Sequence, residues 1–237
     1  MAKANVTIIE APMGEGKTLT VTGILVDDYF AHLRAIVSPK TGIIYPVQPV
    51  KGEIVKIFPP EGLPKIEEPR LIRIPNDWAT ISDTKIFCNY HLFGMRYIFS
   101  DPGTMLDYLN EGSGSTMKHA KMVIDESYLQ GEARRGMNSL SLIYTWFAQQ
   151  MRKRDIELFL LVQHGRFIDW RFRYIAKRKI LCRYNEKTRM VRLLVQNLGK
   201  GTEKPFSFWG PQYWKYYDTN ELPVVPEEMI RKARAQS

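Results

Sequence analysis

The stretch that most constrains this chain is Ala11-Pro12-Met13-Gly14-Glu15-Gly16-Lys17-Thr18, set directly after the apolar run Val6-Thr7-Ile8-Ile9. An apolar strand, a glycine-bearing turn and a helix opening at Lys17-Thr18 follow the order in which a P-loop cradles the phosphates of a nucleoside triphosphate. Glycines let backbone N–H groups curl around an anion, and the helix N-terminus adds its partial positive charge. Pro12, Met13, Gly14, Glu15 and Gly16 would wrap the phosphates, with Leu19 continuing the first helical turn. Lys17 would reach the β/γ-phosphates, and the Thr18 hydroxyl would sit on Mg²⁺. The expected cofactors are therefore ATP and Mg²⁺. One position departs from the signature, which asks for Gly where Ala11 stands. The competing reading is an ordinary glycine-rich strand–helix turn carrying a surface lysine.

A second anchor lies about a hundred residues later. Lys121-Met122-Val123-Ile124-Asp125-Glu126 is an apolar strand ending in two carboxylates. At the C-terminal end of a parallel strand, Asp125 would face the phosphate site and hold the Mg²⁺ water shell. Glu126 would polarise the attacking water. An Asp-Glu pair after a short apolar run also begins many solvated loops, so it is the P-loop upstream that turns it toward ATP hydrolysis.

The chain has 237 residues, 44% hydrophobic and 25% charged, which suits one sizeable α/β domain with its own core. Its net charge of +9 points to a polyanionic partner, with nucleic acid the leading candidate. A basic surface kept for solubility is the plainer alternative. Two cysteines, Cys88 and Cys182, sit far apart inside apolar runs, which fits neither a zinc site nor a disulfide framework. No apolar run approaches the length of a membrane span, and the N-terminus enters the first strand without a leader. The expectation is a soluble intracellular protein, in the host cytoplasm or associated with a virion.

Along the chain, Leu19 to Leu33 carries apolar residues at near-helical spacing, and the helix is expected to end near Arg34. Arg34-Ala35-Ile36-Val37-Ser38-Pro39 reads as the next strand, completing a strand–helix–strand unit of a parallel sheet. Residues 39–80 hold Pro39, Pro46, Pro49, Pro59, Pro60, Pro64, Pro69 and Pro75, and read as an irregular insertion with a possible hairpin. Lys85 to Tyr90 resumes the core as a buried strand. Thr104 to Leu109 reads as a short helix, Gly112 to Ser115 as a loop, and Asn138 to Lys153 as a longer helix. Glu157 to Val162 is the most apolar strand and ends at Gln163. In a RecA-like sheet that glutamine would lie beside the γ-phosphate; otherwise it simply caps the strand. Ile168 to Tyr174 is a basic-aromatic segment opening a helix. Lys179 to Tyr184 and Met190 to Val195 look like an antiparallel pair joined by a turn at Asn185 to Thr188. Residues 201–237 form an aromatic-rich tail that either packs on its own domain or stacks bases. The domain reading is thus 1–200 as one ATPase domain, with that tail appended.

These residues, in order, resemble the FtsK–HerA superfamily of DNA-pumping ATPases. The likeness is carried by Gly14-Glu15-Gly16-Lys17-Thr18, Asn89-Tyr90-His91-Leu92, Val123-Ile124-Asp125-Glu126, Met151-Arg152-Lys153 leading into Val162-Gln163, and Ile168-Asp169 with Phe172-Arg173. It is nearest to genome-packaging ATPases of membrane-containing viruses and to zonula-occludens-toxin-like proteins of filamentous phages. The resemblance implies a RecA-like P-loop fold: a central, mostly parallel sheet flanked by helices, here with a proline-rich insertion and an antiparallel C-terminal strand pair. It implies Lys17 and Thr18 on phosphate and Mg²⁺, Asp125 on the Mg²⁺ shell, Glu126 on the catalytic water and Gln163 on the γ-phosphate.

Family members are usually ring-shaped homo-oligomers, often hexamers, in which a neighbour's arginine stabilises the transition state. Arg152 and Arg173 occupy motif-like places for that role, with Arg154 and Arg134 behind them. Double-stranded DNA would thread the pore in a sequence-tolerant, salt-sensitive way, with capsid or membrane proteins of a virus as further partners. Two alternatives stand beside this expectation: an assembly ATPase acting on single-stranded DNA, and a non-motor P-loop kinase or switch.

Overall fold

The computed structural model describes residues 5–38, 40–42, 44–46, 70–100, 119–125, 151, 154–168 and 170–218. Among these, eight strands form one sheet in the order β11-β10-β9-β1-β8-β7-β5-β6. They are β1 (Asn5–Glu10), β5 (Lys85–Cys88), β6 (Ile98–Phe99), β7 (Ala120–Ile124), β8 (Ile156–Val162), β9 (Ala176–Asn185), β10 (Met190–Asn197) and β11 (Thr202–Trp209). From β9 to β6 every pairing is parallel, whereas β10 runs antiparallel to both β9 and β11. The central sheet is thus mostly parallel, with the expected antiparallel strand pair at one edge. In register, Met190 opposes Asn185 and Val195 opposes Ile180.

Period-two alternation sends the strand side chains to two separate cores. Ile9, Val123, Phe159, Leu161 and Ile180 join the core beneath helix α1 (Lys17–Tyr29), while Val6, Ile8, Met122, Leu158, Leu160 and Val162 fill the other face. The second core is completed by Ile168, Phe172 and Ala176, so the short helix α2 (Trp170–Ile175) packs opposite α1. Near the N-terminal ends of the strands, Lys121 of β7 donates to Glu157 of β8 at 2.8 Å and to Asp28 of α1. Arg178 of β9 binds the other oxygen of Glu157. Burial pulls the Lys121 pKa down, but the Glu157 and Asp28 carboxylates outweigh it, leaving the ammonium pKa raised. Three strands and the end of α1 are thereby tied at one point.

Four readings of the chain are corrected. Helix α1 ends at Tyr29, not near Arg34, and Phe30 is already extended. The strand that follows, β2 (Phe30–Val37), does not enter the main sheet. It lies in a separate antiparallel sheet between β3 (Ile44–Pro46) and β4 (Arg70–Thr80). The reasons are geometric. No residue separates α1 from β2, whereas turning a helix back into a sheet takes a short loop, and both flanks of β1 are already occupied by β8 and β9.

The end of the 39–80 insertion is likewise an eleven-residue strand, with a register shift where it pairs Phe30 and Ala31 of β2. Its Pro75 is tolerated because β4 is an edge. Finally, the boundary at residue 200 falls inside a hairpin: β11 pairs with β10 from Thr202 to Trp209, and a 3₁₀ segment (Gly210–Tyr216) lies on α1. Tyr213, Tyr216 and Tyr217 are buried in the α1 core, whereas Phe206 and Trp214 stay exposed. The predicted helices at 104–109 and 138–153, the loop at 112–115 and the chain after Asp218 lie outside the described residues, Met151 excepted.

Tyr216 is almost fully buried and rests against Phe30, with ring centroids 5.8 Å apart. Tyr216→Ala should lower stability by ~3–5 kcal/mol, as for other large-to-small changes at buried aromatics. The shift of a denaturant midpoint at unchanged slope measures it.

Candidate functional site

The loop from Ala11 to Gly16 leaves β1 at its C-terminal end. The Ala11 N–H donates to the Val162 carbonyl at 3.2 Å, so the loop starts beside the tip of β8. Gly14 (φ 76°) and Gly16 (φ 86°) take the left-handed conformation that turns the chain around. Ala11 is not among the left-handed residues and is buried, so a methyl group is tolerated where the signature has glycine. Gly16 then caps α1 without any side-chain hydrogen bond, and the first turn of α1 carries no acidic residue. The helix therefore opens with backbone donors and positive dipole, the two properties an anion needs. Glu15 pins the loop sideways: its carboxylate accepts the Tyr184 N–H at 2.8 Å.

Lys17 is 6% exposed and turns back into the loop, where its Nζ donates to the carbonyls of Ala11 and Pro12, each at 3.1 Å. The Thr18 hydroxyl donates to Asp125 Oδ2 at 2.6 Å, across 107 residues of sequence. Asp125 follows β7 directly, and its backbone is gripped by Asn89 at the end of β5. The Asn89 amide donates to the Asp125 carbonyl at 3.0 Å, and its Oδ1 accepts the Asp125 N–H at 2.8 Å. Lys17, Thr18 and Asp125 thus converge, and Asn89 holds the third of them.

Other predicted residues are placed as follows. Pro12, Met13 and Gly14 are exposed on the loop, and Leu19 is buried beneath it. Gln163 is half-buried at the tip of β8, one residue after the carbonyl that binds Ala11. Arg173 is exposed on α2, on the sheet face opposite α1. Glu126 and Arg152 lie outside the described residues. Asn89 carried no assigned role from sequence, although a polar residue closing the apolar strand Ile86-Phe87-Cys88 was its signal. The tyrosines around the site were also unforeseen. Tyr90 meets the Thr22 hydroxyl at 3.1 Å, and burial, together with the neighbouring Cys88, raises its pKa well above the ordinary value. Tyr217 is raised by burial and then by Tyr184 and Asp125.

Magnesium suits this donor set. A hydroxyl and a carboxylate are hard oxygen ligands, and Mg²⁺ in nucleotide sites takes one or two such protein groups beside phosphate and water. No cluster of three metal-ligating side chains occurs among the described residues, and such a site does not require one.

No protein-family model and no curated protein matches the sequence. Among solved structures, the N-terminal domain of zonular occludens toxin from Neisseria meningitidis aligns over 92% of this chain and all of its own length. Its TM-score is 0.54 at 13% identity. The fold is that of a RecA-like P-loop ATPase. Two structures are less alike. The genome packaging NTPase of Sulfolobus turreted icosahedral virus 2, in complex with ATP-gammaS, has a TM-score of 0.47 and 9% identity over 86% of this chain and 97% of that one. A KaiC-like protein from Pyrococcus horikoshii has 0.42 and 11% over 86% and 84%.

Two outcomes follow from the geometry. Asn89→Ala leaves the Asp125 N–H without its partner and should cost about 1–3 kcal/mol of stability while weakening nucleotide binding; both are read by thermal shift with and without nucleotide. Beneath the loop, burial pushes the Cys182 thiol up to about 11, against the opposing Thr20 hydrogen bond and the Lys17 charge. A folded pKa above the unfolded one means that the stability gained is complete at neutral pH and is lost as pH rises toward 11. Cys182 should accordingly resist iodoacetamide at pH 8 until the protein is denatured.

Proposed function

We propose that this chain is an ATP-driven DNA translocase of the FtsK–HerA type, moving double-stranded DNA during viral genome packaging. The observation that carries the reading is the Thr18–Asp125 hydrogen bond beneath a buried Lys17. It joins a phosphate-cradling loop to the one described carboxylate suited to the metal shell. Thr18 and Asp125 would hold Mg²⁺, which neutralises charge on the phosphates when bound. Lys17 would exchange the Ala11 and Pro12 carbonyls for phosphate oxygens, and the open N-terminus of α1 would receive the anion. Glu126 would orient the attacking water, and Gln163 would report the γ-phosphate to the loop that follows it.

The motor would act as a homo-oligomeric ring, a hexamer by resemblance, with an arginine entering from the neighbouring subunit. Arg173 is exposed and makes no ion pair among the described residues, which leaves it available for that role; Arg152 is the other candidate. Net charge +9 supports a polyanionic cargo held through its phosphates. The proposed locations are the host cytoplasm and the virion. The fold likeness to the zonular occludens toxin domain favours, as a second reading, an assembly ATPase acting on single-stranded DNA.

ATP hydrolysis should rise several-fold with duplex DNA at low salt, lose that stimulation at moderate salt, and vanish in Lys17→Ala. Turnover indifferent to every nucleic acid would sink the translocase and leave a kinase or switch.

A further inference from the structure

The segment after Gln163 carries a feature that, Arg173 apart, the proposed ATPase site does not use. Residues 165–179 contain Arg166, Arg171, Arg173, Lys177, Arg178 and Lys179 against the single acid Asp169. This is a net +5 out of the chain's +9. Arg178 and Lys179 are taken up by Glu157 and Glu10. Arg166, Arg173 and Lys177 are exposed, with no ion pair among the described residues.

Three large aromatic rings are exposed in the same segment: Phe167 at 49%, Trp170 at 62% and Tyr174 at 84%. Within α2, Phe172 faces the core, so Trp170 and Tyr174, each two residues from it, point about 160° away. Phe167 meets the His164 ring edge-on, with centroids 6.3 Å apart, and all three rings keep much of their surface exposed among cations. Flat rings between positive charges match the chemistry of an unpaired nucleic-acid strand, whose bases stack and whose phosphates pair.

The segment's own net charge of +5 opposes pairing with the same segment of a second copy and, by charge complementarity, favours a polyanion.

We infer that Phe167, Trp170 and Tyr174, flanked by Arg166 and Lys177, form a single-stranded nucleic-acid platform on the sheet face opposite α1. The platform starts in the turn that follows Gln163 and does not need ATP to bind. It goes beyond the translocase reading, because a duplex presents no base faces to these rings.

The test is binding of a labelled oligo(dT) strand to the full chain without nucleotide, read by fluorescence anisotropy. A self-complementary duplex of equal length and the Lys17→Ala variant serve as controls. Wild type and Lys17→Ala should bind the single strand alike, so a failed ATPase assignment would not disturb the result. Trp170→Ala and Tyr174→Ala should each weaken single-strand binding by about 5- to 100-fold and leave the duplex nearly unaffected. Lys177→Gln should reduce the slope of log K against log salt by about 0.7. The inference is overturned if wild type does not bind the strand, or if both aromatic variants bind it as wild type does. It is also overturned if they lose duplex and single strand equally, or if sedimentation shows that they change the oligomeric state instead.

Discussion

The hydrogen bond between the Thr18 hydroxyl and the Asp125 carboxylate is the contact on which the site depends. Neither residue reaches the other through local structure. Thr18 is set by the turn at Gly14 and Gly16, which starts α1 at the C-terminal end of β1. Asp125 is set by β7, which is not a neighbour of β1, because β8 lies between them. The contact exists because strand order, parallel register and the placement of α1 over the sheet agree. Asn89, arriving on the strand beyond β7, then fixes the Asp125 backbone with two hydrogen bonds. Ends of three parallel strands thus converge on one glycine turn, as open parallel sheets allow at their C-terminal edge.

At the opposite edge the same strands are held differently. Lys121, Glu157, Arg178 and Asp28 form a partly buried ion network linking β7, β8, β9 and α1. Partly buried charges of this kind contribute less net stability than their attraction suggests, since each loses water. Their effect is on register: a slip of any of the three strands would strand a charge in the core. The two ends therefore divide the work. Hydrogen bonds to backbone and hydroxyl shape the phosphate end, and paired charges lock the other.

The C-terminal aromatics belong to this frame. Tyr213 donates to Asp27 at 2.6 Å and lies against the Cα of Gly23, so the last described segment closes over the middle of α1. Gly23 permits that approach, because a Cβ there would stand 3.1 Å from the Tyr213 ring. Tyr213, Tyr216 and Tyr217 of the tail are thus part of the core that positions the helix opening at Lys17.

Much of this was legible in the order of residues. The strand–turn–helix at Val6 to Thr18, the strands ending at Asp125 and Gln163, and the hairpin around Asn185 are each local patterns. Periodicity and turn chemistry reveal such patterns without any knowledge of partners. What local pattern could not supply was which strands are neighbours. An apolar run such as Ala35-Ile36-Val37 reads the same in a parallel core and in a small antiparallel sheet. The difference arises because α1 runs into β2 without a loop and both sides of β1 are filled. Asn89 was likewise visible only as a polar end to a strand, since its partner is a backbone 36 residues away. The sequence by itself determined the strand–turn–helix at Ala11 to Thr18, whose conformation depends on two glycines and a helix start. Tertiary structure alone decided what faces that loop, because the opposing carboxylate arrives through the lateral order of a sheet, which no single segment encodes.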